Sequence, residues 1–308
     1  MNTIAVILIN YNSAKYTIDC IKSIWDKTSS NLDYEIIVVD NNSEINDFNL
    51  INSFVNQENK SNLKLIKCNV STGFGGGNMI GAQSTNAKYL AFVNNDSIFI
   101  NDCFSLIINA MESNENYGIC GPKAYKEDGS VLPTLDHFAS PIKDFLGRSI
   151  LEKINPIKFV DRKKEYLNHQ SGQFISGSFM VIKAEDFWEI GGFDTNIFLY
   201  YEETDLCIRL LKQKNKKAYL IPEAEFIHYH GASTPKSILI KTELKISLLY
   251  VIRKHYGYFW FLIILNKLRI QYLIKSVFKL KNIPILNVLI KGAHISDSLK
   301  NKQFNGNL

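Results

Sequence analysis

The first 120 residues alternate between short runs that are apolar at nearly every position and longer stretches whose apolar residues recur three and four apart. IAVILIN (4–10), YEIIVVD (34–40), LKLIKC (63–68, interrupted by two lysines), YLAFVNN (89–95) and YGICGP (117–122) read as strands of this kind. Continuous apolar character, without alternation, is expected of strands covered on both faces, as in a parallel sheet flanked by helices. Residues 13–27 and 102–113 have helical spacing, and 44–59 have it more weakly. The third run leads into a glycine-rich turn, STGFGGGNMIGA (71–82), and a helix expected to end near residue 86. This βα order predicts an α/β fold with a doubly wound, mainly parallel sheet.

Residues 123–170 are polar and irregular and are expected to be loops. Order returns at GQFISGSFMVIKAEDFWEIGGFD (172–194), a strand running into a short helix closed by Gly191 and Gly192. In the last part, YGYFWFLIIL (256–265) lies between basic stretches. Ten apolar residues are half the roughly 20 that a membrane-spanning helix needs. Aromatic and basic residues around such a run predict a helix lying on an anionic membrane surface, or alternatively one packed on the body. Charge divides the chain at the same place. Residues 1–235 carry 22 Lys and Arg against 28 Asp and Glu, whereas 236–308 carry 13 against 2. We therefore divide the chain into a body, 1–235, and a basic helical appendage, 236–308.

With 46% apolar residues the chain can build a core. Its five cysteines are scattered, with no CxxC pair, which predicts reduced thiols and a cytoplasmic setting over a disulfide or zinc framework. The N-terminus has no basic stretch ahead of its apolar run, unlike a signal peptide.

Candidate chemistry gathers at strand and helix ends. Asp40 and Asp96 each close an apolar strand, where open α/β sheets bind ligands. Glu202, Glu203 and Asp205 begin a predicted helix; three such carboxylates repel one another unless a proton, metal or substrate uses them. Asp205 stands four residues before Arg209 and is expected to be an ion-pair partner, leaving general-base work to Glu203 or Glu202. His228 and His230 follow the next strand, and a histidine beside an acidic cluster suits a metal. The glycines at 73, 75, 76 and 77 suit a nucleotide cleft, but the GxGxxG pattern fails at Asn78 and the first βα turn has no glycine, against a nicotinamide enzyme.

In order along 3–235, VILINYNSAKYTIDCIKSI, EIIVVDNNS, GFGGGNMIGA, YLAFVNNDS, ISGSFMVIKAEDFWEIGGFD and FLYYEETDLCIRL with IPEAEFIHYHG resemble the family 2 inverting glycosyltransferases of GT-A fold, especially the bacterial rhamnosyltransferase-like branch. The resemblance implies a nucleotide-sugar donor of the dTDP-rhamnose or UDP-sugar class and a lipid-linked or oligosaccharide acceptor of O-antigen or capsule synthesis. It also implies Mg2+ or Mn2+ and inversion at the anomeric carbon. It places Asp40 on the nucleoside, with Asn10, Asn42, Gly75, Gly76, Asn78 and Asn95 completing the donor-binding set. Asp96 matches the last acid of the family's DxD motif, with Asn94 at the first, and His228 matches a metal ligand of some members. Glu203, with Glu202 as second candidate, falls at the catalytic-base position, where Asp is common. The expected setting is the cytoplasmic face of the membrane, the appendage on an anionic leaflet and no nucleic acid involved. A catalytically degenerate binding module of the same fold is the alternative.

Overall fold

The structure, a computed structural model, describes residues 2–229 and 237–304. Its strands are β1 (Ile4–Asn10), β2 (Tyr34–Asp40), β3 (Leu63–Lys67), β4 (Tyr89–Asn94), β5 (Ser97–Phe99), β6 (Tyr117–Tyr125), β7 (Val131–Leu132), β8 (Leu135–Asp136), β9 (Gln170–Gly172), β10 (Phe174–Ile175), β11 (Phe179–Lys183) and β12 (Lys217–His228). The helices of the body are α1 (Ala14–Lys27), α2 (Ile45–Glu58), α3 (Gly73–Gln83), α4 (Cys103–Ser113), α5 (Pro141–Leu146), α6 (Arg148–Ile154), α7 (Ala184–Glu189) and α8 (Glu202–Lys214). Four more follow: α9 (Ile238–Tyr256), α10 (Tyr258–Phe278), α11 (Ile283–Ile290) and α12 (Leu299–Phe304).

The main sheet runs β3-β2-β1-β4-β11-β6-β12-β5. β1 pairs in parallel with β2 and β4, β2 with β3, and β6 with β12; β11 runs antiparallel to both its neighbours. Alternate residues of one strand enter different cores. Ile4, Val6 and Leu8 pack with Cys20, Ile21, Ile24 and Phe104 on one face, while Ala5 and Ile7 pack with Ala82, Phe187 and Leu206 on the other. Burial on both faces is why these strands are written in unbroken apolar residues.

Three regions differ from the sequence expectation. The glycine-rich segment is not a turn ahead of a helix but the first turns of α3 itself. A Cβ at Gly77 would stand 2.9 Å from Ile9 and one at Gly81 2.5 Å from Ile7, so the missing side chains let this helix lie close on β1. Second, β11 enters between β4 and β6, so the fifth predicted strand is not the fourth one's neighbour. Third, 123–170 is not all loop: it holds β7, β8, α5 and α6, with β8 antiparallel to β10 in a separate two-stranded ladder.

Helices α9–α11 surround a third apolar core that also takes in Ala139 and Ile197. Polar contacts join α9 to the body: Ser247 donates to the Leu199 carbonyl at 2.9 Å, and Lys254 lies 2.7 Å from both Asp194 and Asp205. Within 256–265, Phe261, Ile264 and Leu265 are buried while Tyr258 and Phe259 are exposed. Among the described residues no helix is long and apolar enough to cross a membrane. The division at 235/236 falls among undescribed residues.

Candidate active site

The carboxyl ends of β1, β2 and β4 meet in one closed hydrogen-bond network. Asn10 is fully buried, and its Nδ2 faces Asp40 Oδ2 at 2.9 Å, Asp47 Oδ2 at 2.9 Å and Ser43 Oγ at 3.2 Å. Thr17 donates to Asn10 Oδ1 at 2.7 Å, and Asn95 Nδ2 donates to Ser13 Oγ and Thr17 Oγ1, both at 2.7 Å. Asp40 accepts a second bond from the Ser43 N–H at 3.1 Å, so both its oxygens are engaged within the protein. The sequence order explains the convergence, because parallel strands deliver all their carboxyl ends to one edge.

Asn41 next to it was not singled out by the sequence. It is buried, accepts from the Thr72 N–H at 2.8 Å and donates to the Gly73 carbonyl at 3.0 Å, fixing the start of α3 to the end of β2. Its only sequence signal was membership of the Asp-Asn-Asn turn. Asn42 is exposed with φ +67°, and its side chain takes no part in this network. Gly75, Gly76 and Asn78 are buried in α3. A Cβ at Gly75 would lie 3.4 Å from Glu202 Cγ, and Asn78 Nδ2 returns to the Phe74 carbonyl at 3.1 Å. Gly73 takes φ +76°, and a side chain there would meet the Phe198 carbonyl at 2.0 Å, so only glycine lets α3 begin against the segment leading into α8.

At the end of β4, Asp96 is buried and its Oδ1 accepts no hydrogen bond among the described residues. His228 Nε2 lies 3.1 Å from that oxygen and 3.3 Å from Asn94 Nδ2. The pairing of β12 with β5 sets His228 opposite Ser97 and so brings the histidine to the Asn94–Asp96 turn. A buried carboxylate oxygen 3.1 Å from an imidazole nitrogen fits two ligands of a divalent cation whose other positions come from diphosphate and water. Among the described residues no group of three His, Cys, Asp or Glu side chains forms a metal cage. His230 lies outside the described residues.

Ser176, Gly177 and Ser178 connect this turn to the acidic helix start. The Asn94 N–H donates to the Ser178 carbonyl at 2.8 Å, and a Cβ at Gly177 would lie 4.0 Å from Glu203 Cβ. Tyr200 and Tyr201 precede α8 with φ of +72° and +71°, left-handed conformations unfavourable for aromatic residues. They turn the chain so that the first turn of α8 points its carboxylates inward. Glu202 is buried with Oε1 unpartnered; burial and the neighbouring Glu203 charge raise its carboxyl well above the ordinary range. Burial, helped by the charge of Asp136, pushes Glu203 up to about 7. Asp205 behaves oppositely. Burial alone would raise it, but His255 at 2.7 Å, Arg209 at 2.8 Å and Lys254 at 2.7 Å hold it well below its ordinary value. It is the ion-pair partner expected from its spacing to Arg209, and it also ties α8 to α9.

A mainly parallel central sheet flanked by helices is the architecture of GT-A glycosyltransferases. The chain belongs to glycosyl transferase family 2, whose pattern residues 5–191 match. It is 27% identical to rhamnosyltransferase WbbL of Escherichia coli over 191 residues, 59% of this chain and 71% of that protein. It is 31% identical to the N-acetylglucosaminyl-diphospho-decaprenol L-rhamnosyltransferase of Mycobacterium tuberculosis over 121 residues, 38% of this chain and 39% of that one. Among solved structures, GalNAc-T7 crystallised with UDP, GalNAc and Mn2+ superposes with TM-score 0.60 at 14% identity, covering 85% of this chain and 50% of that one. S. aureus TarS 1-349 superposes with TM-score 0.52 at 13% identity, covering 82% of this chain and 65% of that one. At such identities the two structures speak to fold alone.

Proposed function

We propose that this glycosyltransferase is metal-dependent and inverting, and moves a sugar from a nucleoside-diphosphate donor of the dTDP-rhamnose or UDP-sugar class to a hydroxyl of a lipid-linked glycan in surface polysaccharide synthesis. One observation carries the reading: a carboxylate raised to about 7, Glu203, stands across the Ser176–Ser178 loop from the Asn94–Asp96 turn. A general base works best with a pKa near the working pH. Glu203 removes the proton of the acceptor hydroxyl as that oxygen attacks the anomeric carbon from the face opposite the leaving diphosphate. One C–O bond forms, one breaks, and no covalent enzyme intermediate is needed. Asp96 and His228 would hold Mg2+ or Mn2+, which when bound offsets charge on the leaving group. Glu202, whose carboxyl burial and the Glu203 charge raise well above the ordinary range, stands beside the base. Asn10, Asp40 and Asn95 keep the strand ends under the donor rigid.

The relatives' printed names support rhamnosyl transfer and a diphospho-lipid acceptor. A site on the cytoplasmic face of an anionic membrane is supported by exposed Ile270, Leu273, Ile274, Val277 and Phe278 on α10, alongside exposed Lys275. Calorimetric titration with UDP, dTDP, GDP and NAD, with and without Mn2+, tests the reading. We expect Mn2+-dependent binding of UDP or dTDP. Metal-independent binding of NAD, or no nucleotide binding at all, would overturn it.

A further inference from the structure

Asp136, on β8, is surrounded by three cations. Arg148 grips it with two bonds, Nε to Oδ1 at 2.9 Å and Nη2 to Oδ2 at 2.8 Å. Lys143 Nζ lies 3.3 Å from Oδ1, and Arg162 Nη2 3.6 Å from Oδ2. One carboxylate cannot neutralise three positive groups, and among the described residues none of the three pairs with another acid. Glu152, on α6, lies instead 3.8 Å from His137 Nε2. Burial and the two neighbouring guanidinium groups hold Lys143 below its ordinary value against the pull of Asp136.

Arg162 is the telling member. Its side chain is only 26% exposed, its Nε is buried without a partner, and no hydrogen bond from it is found among the described residues. Five donors in a rigid planar fork are left unused, and that fork matches phosphate oxygens. We propose that Lys143, Arg148 and Arg162 form an anion subsite for the phosphate or diphosphate that joins the acceptor glycan to its lipid. The proposal rests on the function above and deepens it.

Position supports the assignment. Asp136 pairs with Phe174 across the β8–β10 ladder, two residues before the Ser176–Gly177 turn that faces Glu203. The helices that carry Lys143 and Arg148, α5 and α6, also expose Phe145, Ile150 and Ile154. A base, a cluster of cations and exposed apolar side chains are what a sugar hydroxyl, a phosphate and a lipid chain would each need. Among the described residues no ion pair joins any of the three cations to Asp96.

The test titrates farnesyl diphosphate and inorganic pyrophosphate into the full chain in EDTA, comparing wild type with Arg162→Gln and with Asp96→Asn. Asp136, the acid beside Arg162, keeps Arg148 and Lys143 when Arg162 is replaced, so the substitution should fold, which a thermal melt confirms. We expect wild type to bind farnesyl diphosphate, Arg162→Gln to weaken it at least tenfold, and Asp96→Asn to leave it within twofold. Pyrophosphate should bind more weakly yet lose a similar factor. The proposal is overturned if wild type does not bind farnesyl diphosphate, or if Arg162→Gln binds it unchanged. A loss confined to binding of phosphatidylglycerol vesicles, with farnesyl diphosphate unaffected, overturns it too, because the cluster would then serve membrane headgroups. Mn2+-dependent binding of dTDP or UDP, measured in parallel, separates this outcome from failure of the glycosyltransferase reading: nucleotide binding that persists while the farnesyl arm fails removes the subsite alone.

Discussion

The two sides of the proposed active site, the donor side and the acceptor side, are built on opposite electrostatic terms. On the donor side, Asn10, Asp40, Asp47, Thr17, Ser13 and Asn95 are joined by protein hydrogen bonds of 2.7–2.9 Å. On the acceptor side, Glu202 Oε1 and Arg162 Nε are buried without partners, Glu203 is raised to about 7, and three cations share one carboxylate. A satisfied buried network makes a rigid platform, whereas unpartnered buried groups hold free energy that a ligand can release. The donor floor thus reads as scaffold and the acceptor wall as chemistry, and substitutions on the two sides should separate stability from activity.

The largest effect is expected at Glu203. Glu203→Gln should lower kcat by about 10²–10⁴-fold, the usual contribution of a general base, while nucleotide affinity stays within a few-fold. The stability change should run the other way. A carboxyl raised in the folded state keeps its proton there between about 4.5 and about 7, where the unfolded chain has lost it, so the native state loses stability as pH rises through this window. Above pH 7 Glu203→Gln should therefore be the more stable protein, by on the order of 2 kcal/mol. For wild type the same ionisation makes kcat rise about tenfold per pH unit below about 7 and level off above it. A pH-independent rate from 5 to 8 would take the base role from Glu203. Equal activity of the Gln variant would do so outright.

The donor side should give the reverse result. Asn10→Ala removes a buried amide that serves Asp40, Asp47 and Thr17 together, leaving two carboxylate oxygens and a hydroxyl with fewer partners. A loss of about 2–4 kcal/mol is expected, seen as a lower urea midpoint, with the pH-rate profile of the remaining folded enzyme unmoved. An unchanged midpoint together with a shifted profile would break the division between scaffold and chemistry.

How much of this was legible beforehand follows the same division. Strands β1, β2 and β4 could be read because burial on both faces forces unbroken apolar runs, and their ends fixed Asp40 and Asp96 at one edge. The Asp205–Arg209 pair could be read because four residues is one helical turn. The insertion of β11 between β4 and β6 could not, since it pairs residues about 90 apart and nothing local records that choice. The glycines of α3 misled because glycine serves close helix–strand packing as readily as a ligand loop. The Asp136 cluster was invisible because Lys143, Arg148 and Arg162 have no shared periodicity and lie in a stretch whose polarity resembles plain loop. Glu202 and Glu203 were visible as an acidic helix start, but their raised carboxyls come from burial under the segments packed on α8.

The smallest expected effect tests the donor side at its margin. The family resemblance places Asn42 on the donor, yet its side chain is exposed and absent from the network around Asp40. Its φ of +67° is tolerated by asparagine and adopted readily by glycine. Asn42→Gly therefore keeps the backbone and deletes only the amide. Relief of the left-handed strain and the greater entropy of the unfolded glycine chain nearly cancel, so stability should change by about 0.5 kcal/mol or less. If this position matters only as a turn, affinity for dTDP or UDP with Mn2+ stays within twofold. A tenfold loss at unchanged stability would place the Asn42 side chain on the bound nucleotide, and the donor side would then hold a ligand contact outside its closed network.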